Sequence, residues 1–236
     1  MKTVAIVLSA GTGRRMGGKI PKQYMELAGK PVICHSLEVF ERSFIDEVIL
    51  VCGEGYEEYC RKELVIRYGL SKVVKIIEGG RERYHSVYRG LMASGGCDYV
   101  FIHDGARPFV TEHLLERCLH YVEKYGAAVA AVRASDTVKI EDGDGFIKET
   151  PDRAKVWLMQ TPQVFGFKMI REAYGKLIAD EARLKNAGVS ITDDTMVAKM
   201  YAGVDAKLVE SSSRNLKITT PQDMVIAEAL CRIDDN

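Results

Sequence analysis

Most of the marks of a specialised architecture are missing from this chain. Its six cysteines, Cys34, Cys52, Cys60, Cys97, Cys118 and Cys231, contain no C-x-x-C pair. Neither a zinc ribbon nor a disulfide-stapled secreted scaffold is therefore indicated, and the thiols read as buried or idle. His35, His85, His103, His113 and His120 show no H-E-x-x-H spacing, which argues against a zinc enzyme. Charge of one sign is not in excess: 33 Lys plus Arg stand against 33 Asp plus Glu. Nothing in that balance draws the chain to nucleic acid or to an anionic membrane surface, so any basic site must be local. No apolar run approaches membrane-spanning length, and the N-terminus lacks the long apolar region and small-residue cleavage site of a secretory signal. A cytoplasmic location is the default expectation. There is no Pro- or Ser-rich linker, no repeat and no low-complexity tract. With 236 residues, 47% of them hydrophobic, the chain can bury a full core, and one domain over residues 1–236, with at most an appendage, is expected.

What the sequence does have is a rhythm. The runs "TVAIVL", "EVILVC", "KVVKII", "DYVFIHD" and "AAVAAV" are short and rich in Val, Ile and Leu, and segments of helical period such as "VICHSLEVFERS" and "HLLERCLHYVEKYG" lie between them. Near-continuous apolar strands separated by amphipathic helices point to a doubly wound α/β fold with a mainly parallel sheet. One segment breaks the alternation. In "DTVKIEDGDGFIKETPDR" the runs TVKI and FIKET flank the turn residues Asp142, Gly143, Asp144 and Gly145, which predicts a projecting β-hairpin arm over residues 136–153. Its charged strands carry too little apolar surface to stand alone, so the arm is either a solvated edge or a dimerisation device. Near the C-terminus "AKLVES" and "NLKIT" read as strands, and Thr220, Pro221 and Asp223 supply the N-cap, first-position proline and N3 acid of a last helix.

The chemistry concentrates directly after the first strand, in "LSAGTGRRMGGKIPKQY" at residues 8 to 24. A glycine-rich turn between the first strand and first helix of such a sheet can present backbone N–H groups and a helix dipole to an anion. Two phosphate-loop templates fail here. The dinucleotide pattern G-x-G-x-x-G begins at Gly11 and Gly13 but meets Met16 where the third glycine is required, and the Walker alignment through Gly13, Gly18 and Lys19 ends on Ile20 instead of a hydroxyl. What remains is G-x-G-x-R-M followed by Pro-Lys, with Arg15 and Lys22 within reach of whatever the loop holds. This combination resembles nucleotidyltransferases of the sugar-nucleotide pyrophosphorylase kind.

Further stretches sharpen the resemblance: "PKQY" at 21, "EGGRERYHSV" at 78, "HDGARPFV" at 103, "SDTVK" at 135, "TPQVF" at 161, "ITDD" at 191 and "NLKITTPQD" at 215. Their order and spacing are similar to the 2-C-methyl-D-erythritol 4-phosphate cytidylyltransferase family over nearly the whole chain. The resemblance implies a Rossmann-like nucleotidyltransferase fold and transfer of CMP from CTP to a polyol phosphate, with Mg²⁺. By it the backbone of Ala10, Gly11, Thr12 and Gly13 wraps the CTP phosphates, and Gly79, Gly80, Ser86 and Gly105 belong to nucleotide binding. Arg15, Lys22 and Lys217 are implied as the catalytic cations. Asp104, Arg107, Thr137, Arg153, Thr161 and Thr192 are implied to bind the second substrate, Asp104 doubling as the metal contact. Thr137 and Arg153 flank the arm, and in the family such positions reach a neighbouring subunit's site, which implies a homodimer and a role for Arg153 as a bidentate phosphate fork. One departure stands out: Arg81 follows the glycine pair where a member of the family carries Asp. Two other readings remain, a ribitol 5-phosphate cytidylyltransferase of the same layout and a non-catalytic nucleotide-binding regulator. The regulator would be expected to lack Arg15, Lys22 or Lys217, and all three are present.

Overall fold

Each apolar run predicted as a buried strand forms a strand, and all are buried except the edge strand Val73–Glu78, which is half-exposed. In the computed structural model, which describes residues 1–11 and 20–234, these runs form β1 (Thr3–Ser9), β4 (Glu47–Cys52), β5 (Val73–Glu78), β6 (Tyr99–Asp104) and β7 (Ala127–Arg133). With β10 (Trp157–Gly166) and β11 (Lys207–Glu210) they make a seven-stranded sheet in the order β11-β7-β10-β6-β1-β4-β5. All neighbours pair in parallel except β10, which runs antiparallel between β6 and β7. Two short strands, β2 (Glu26–Leu27) and β3 (Lys30–Pro31), pair separately.

Side chains alternate across a strand, so a run buried on both faces must be apolar throughout. Ala5 and Val7 of β1 enter one core with Ile33, Leu37 and Phe40 of α1 (Val32–Arg42) and Leu115, Cys118 and Val122 of α4 (Glu112–Tyr125). The same face is completed by α2 (Glu57–Tyr59) and the wide-turn helix Cys60–Ile66 that continues it. Val4 and Ile6 enter the other core with Val87 and Leu91 of α3 (Arg83–Ala93), Ile170, Ala173 and Leu177 of α5 (Phe167–Asn186) and Val197 of α6 (Asp194–Ala202). Capping follows the expected chemistry. Thr111 accepts from Leu114 N at 3.2 Å and Asp193 from Met196 N at 2.9 Å, while Gly126 (φ 80°) and Gly203 (φ 69°) close the same two helices.

The last helix, α7 (Pro221–Asp234), begins with the predicted reciprocal cap. Asp223 accepts from Thr220 N at 2.8 Å, and Thr220 Oγ accepts from Asp223 N at 3.4 Å. Met224 and Ala227 dock the helix on Leu27, Val32 and Ile218. The hairpin is present with shorter strands than predicted, β8 (Ile140–Glu141) and β9 (Ile147–Glu149), all exposed. Its turn is held by Asp142 Oδ1, which accepts from Asp144 N and Phe146 N. The segment "NLKIT" is not a strand. Its ladder-like bond is from Ile218 N to Ala106 O, because the segment crosses the loop after β6 instead of joining the sheet.

Candidate active site

The chain runs from β1 outward to β4 and β5, then returns to the other side of β1 as β6. The carboxyl ends of β1 and β6 therefore flank the point where strand order reverses, the place where open α/β sheets leave a crevice. Register pairs Leu8 with Asp104, so the two strands finish side by side. A cleft of about 320 Å³ opens there, lined by Ala10, Gly11, Lys22, Gly80, Ser86, Asp104 and Lys217 among others. These seven are the predicted site residues that the fold brings together. Thr12, Gly13 and Arg15 lie outside the described residues.

Close packing explains the glycine pair. A Cβ on Gly79 would stand 2.4 Å from Ala10 Cβ and 2.7 Å from Ser86 Oγ, and one on Gly80 would stand 2.3 Å from His85 Cβ. The stretch after β5 can thus press against the end of β1 only without side chains. Ser86, in the first turn of α3, accepts from Gly80 N at 3.1 Å, and Glu82 and His85 box the helix start. Gly105 serves packing in the same way: its Cβ would meet Ile33 Cδ1 at 2.8 Å and Leu8 O at 3.0 Å, so it backs the cleft without lining it.

Asp104 is the electrostatic centre. Lys217 Nζ donates to its Oδ2 at 2.7 Å and Arg83 Nε to its Oδ1 at 3.3 Å. Burial alone would raise the Asp104 pKa, but Arg83, Lys217 and Arg107 together hold it well below the usual carboxylate range. Arg83 forks onto the fully buried Asp194 at 2.7 and 2.9 Å, and Tyr174 donates to the same carboxylate. Burial works against the Arg83 cation, yet Asp194 and Asp104 raise its pKa further, so it stays charged. Behind Asp104 runs a directed chain. Asp104 N donates to Thr161 Oγ at 3.1 Å; His103 Nε2 lies 3.1 Å from Arg107 O, an acceptor only, so Nε2 carries the proton and Nδ1 accepts from Thr161. Burial pushes the His103 pKa down to about 4, which keeps that ring neutral. Arg107 donates to Asn215 O at 2.7 Å, tying the loop after β6 to the segment carrying Lys217.

Thr161 and Arg107 thus sit under the cleft. Thr137 and Arg153 are exposed on the arm, Arg153 donating to Ser135 O at 3.0 Å, and Thr192 is exposed just before α6. None of these three lines the cleft. Sequence reasoning passed over Arg83, Asp194 and Gln23. All three were inside quoted stretches, "EGGRERYHSV", "ITDD" and "PKQY", but 111 residues separate Arg83 from Asp194 and no spacing rule pairs them.

An open α/β sheet whose switch-point crevice gathers a glycine-bounded turn, two lysines and a buried acid has the site of a nucleotidyltransferase. Comparison with known proteins identifies which one: the family model for 2-C-methyl-D-erythritol 4-phosphate cytidylyltransferase matches residues 3–233, and the chain belongs to that family. A curated member from Lachnospira eligens is 46% identical over 224 residues, covering 94% of this chain and 96% of its own. One from Lachnoclostridium phytofermentans is 42% identical over 231 residues, covering 98% and 97%. Among solved structures, the 4-diphosphocytidyl-2C-methyl-D-erythritol synthase of Anaerococcus prevotii superposes with a TM-score of 0.84 at 31% identity, covering 98% of both chains.

Proposed function

We propose that this chain transfers CMP from CTP to 2-C-methyl-D-erythritol 4-phosphate and releases pyrophosphate, a step of non-mevalonate isoprenoid biosynthesis. Family membership supports the reaction. The observation that carries the residue roles is the convergence of Lys22, Lys217, Asp104 and the Gly80–Ser86 turn on one cleft. A phosphate oxygen of the polyol phosphate attacks the α-phosphorus of CTP. As the new P–O bond forms, the bond to the β-phosphate breaks and pyrophosphate leaves with the electron pair. Phosphate monoesters have a second pKa near ~6, so the nucleophile is already anionic and no general base is required. The buried, neutral His103 is consistent with that economy.

What the protein supplies is position and preset charge. Lys22 and Lys217, with Arg15 from the glycine-rich stretch, stabilise the charge that grows on the α-phosphoryl oxygens and the leaving group. Backbone N–H groups at Ala10 and Gly11, continuing into Thr12 and Gly13, cradle the phosphates. Gly79, Gly80 and Ser86 face the nucleoside, with Gly105 packing beneath. Asp104 meets the polyol hydroxyls. A Mg²⁺ ion suits this donor set only in one form. Among the described residues no group of three or more His, Cys, Asp or Glu gathers to build a cage. One carboxylate plus substrate phosphates is a common way to hold this ion, and Asp104 with the triphosphate would do so. The ion would neutralise phosphate charge.

The arm completes the reading. Ile140, Phe146 and Ile147 on it are 43%, 73% and 66% exposed, and Leu158 and Met159 at its base are also exposed. Packing this surface on a second copy would form a homodimer and bring Thr137 and Arg153 to the partner's polyol phosphate, with Arg107, Thr161 and Thr192 shaping the same end. The test is pyrophosphate release from CTP and Mg²⁺ with methylerythritol 4-phosphate and ribitol 5-phosphate offered in parallel. Preference for the first by orders of magnitude in kcat/KM is expected; preference for ribitol phosphate would move the acceptor and overturn the assignment.

A further inference from the structure

The turn Lys22–Tyr24 carries more than its lysine. Gln23 follows Lys22 and is only 3% exposed. Its side-chain nitrogen lies within hydrogen-bond distance of two backbone carbonyls, Ser9 O and, at 3.0 Å, Gly11 O. Two acceptors around one atom require the NH₂ end of the amide, which has one hydrogen for each. Tyr24 extends the grip. Ser9 Oγ donates to Val51 O at 3.0 Å, so the Tyr24 hydroxyl, 3.1 Å away, donates to Ser9 Oγ. Cys60 Sγ lies 3.3 Å from the same hydroxyl and has it as an acceptor, while Tyr56 and Tyr59 flank the ring.

We propose that Gln23 is a positioning residue that clamps the end of β1 to the turn bearing Lys22, so that Ala10, Gly11 and Lys22 meet one triphosphate in fixed register. The proposal rests on the functional reading above. β1 pairing ends at Ser9, and Gln23 gives the carbonyls at Ser9 and Gly11 a donor at that end of the strand. The C=O and N–H of a trans peptide unit point in opposite directions. Holding Ser9 O against Gln23 therefore turns the Ala10 N–H away from Gln23 and fixes which side of the strand end offers donors. Lys22 is adjacent in sequence, so any slack in the clamp changes its distance from Ala10 and Gly11 directly. A misplacement of about 1 Å can cost on the order of 100-fold in rate.

The variant Gln23→Met keeps the side-chain volume and removes both donors; Gln23→Glu keeps the shape and replaces the NH₂ with a carboxylate oxygen. Both are measured in the full chain for turnover with CTP and methylerythritol 4-phosphate, for melting, and for calorimetric affinity toward CTP and CMP. Expected for each is a fold intact by circular dichroism, kcat reduced about 10- to 100-fold, and CTP affinity reduced with CMP affinity within twofold of the parent. A general loosening of the core would weaken both nucleotides alike, and that result overturns the proposal. So does turnover within twofold of the parent, or failure of both variants to fold, which would make Gln23 a core residue only. If the parent chain is itself silent toward methylerythritol phosphate, the functional reading fails; the contrast between CTP and CMP still decides the clamp.

Discussion

Lys217 shows how a residue's chemistry depends on what it must release. Its Nζ donates to Asp104 at 2.7 Å, and its side chain is 37% exposed into the cleft. In the proposed reaction a triphosphate entering the cleft would compete with Asp104 for this ammonium, and the ion pair would keep it aimed without stretching a flexible stem. Replacing Lys217 with Ala is expected to lower kcat by about 10²–10³ while leaving the melting temperature within a few degrees, read by pyrophosphate release and calorimetry. An unchanged kcat would remove it from the machinery. Asp104 and Lys22 were legible in the sequence because each sits in a short motif beside a strand end. The buried pair Arg83–Asp194 was not. In "ITDD" the attention fell on Thr192, which is exposed, whereas Asp193 caps α6 and Asp194 is the buried partner. Which of three adjacent polar residues turns inward is set by the helix start at that point, and only tertiary packing decides it.

At the scale of elements, the apolar runs of β1, β4, β6 and β7 were legible because burial on both faces leaves little room for polar alternation, whereas the edge strand β5 is half-exposed and formed as a strand without that burial. Strand β10 was harder: its antiparallel insertion between β6 and β7 depends on pairing far along the chain, and a register irregularity falls between Met159 and Gln163. "NLKIT" failed as a strand because its alternation serves a loop that buries Ile218 and aims Lys217. Between elements, Glu181 of α5 ties to α3. It accepts from Lys185 on its own helix, from Tyr84 at 2.9 Å and from His85 at 3.1 Å. Lys185 first, then Tyr84 and His85, lower the Glu181 pKa to about 2 from its usual 4.5. A depressed carboxylate pKa means that its stabilisation is present above pH 4.5 and is lost as pH falls toward 2. Glu181→Gln is therefore expected to melt below the parent at pH 7, with the difference shrinking through that window; a constant difference at all pH values would contradict the tie. The arm makes a second element-scale prediction. Phe146→Asp with Ile147→Asp places charges on side chains 73% and 66% exposed. If the arm forms the proposed dimer, sedimentation should show that the double variant is a monomer and the parent is not, with KM for the polyol phosphate raised more than KM for CTP. A parent that sediments as a monomer would dispose of the arm as an interface.

For the molecule as a whole, the cleft is a property of the native state alone. Its lining comes from the end of β1, the turn after β5, the end of β6 and the Lys217 loop, segments that sequence separates by tens of residues and that only the completed sheet brings together. Formal charge sums to zero over the chain, so attraction for a nucleotide arises from this local gathering of cations and not from a general field. An unfolded chain holds no such arrangement, and binding must then stabilise the fold by mass action. CTP with Mg²⁺ at about 100 times its Kd adds roughly 2.7 kcal/mol, and a chain of this size gains about 2–4 °C per kcal/mol. A rise in Tm of about 5–10 °C is the expected result. The same concentration of GTP should give far less if, as proposed, the Gly79–Gly80 turn and Ser86 read the base. Equal shifts from CTP and GTP would mean that phosphate alone is read, and the cytidine preference would then have to come from somewhere other than this turn.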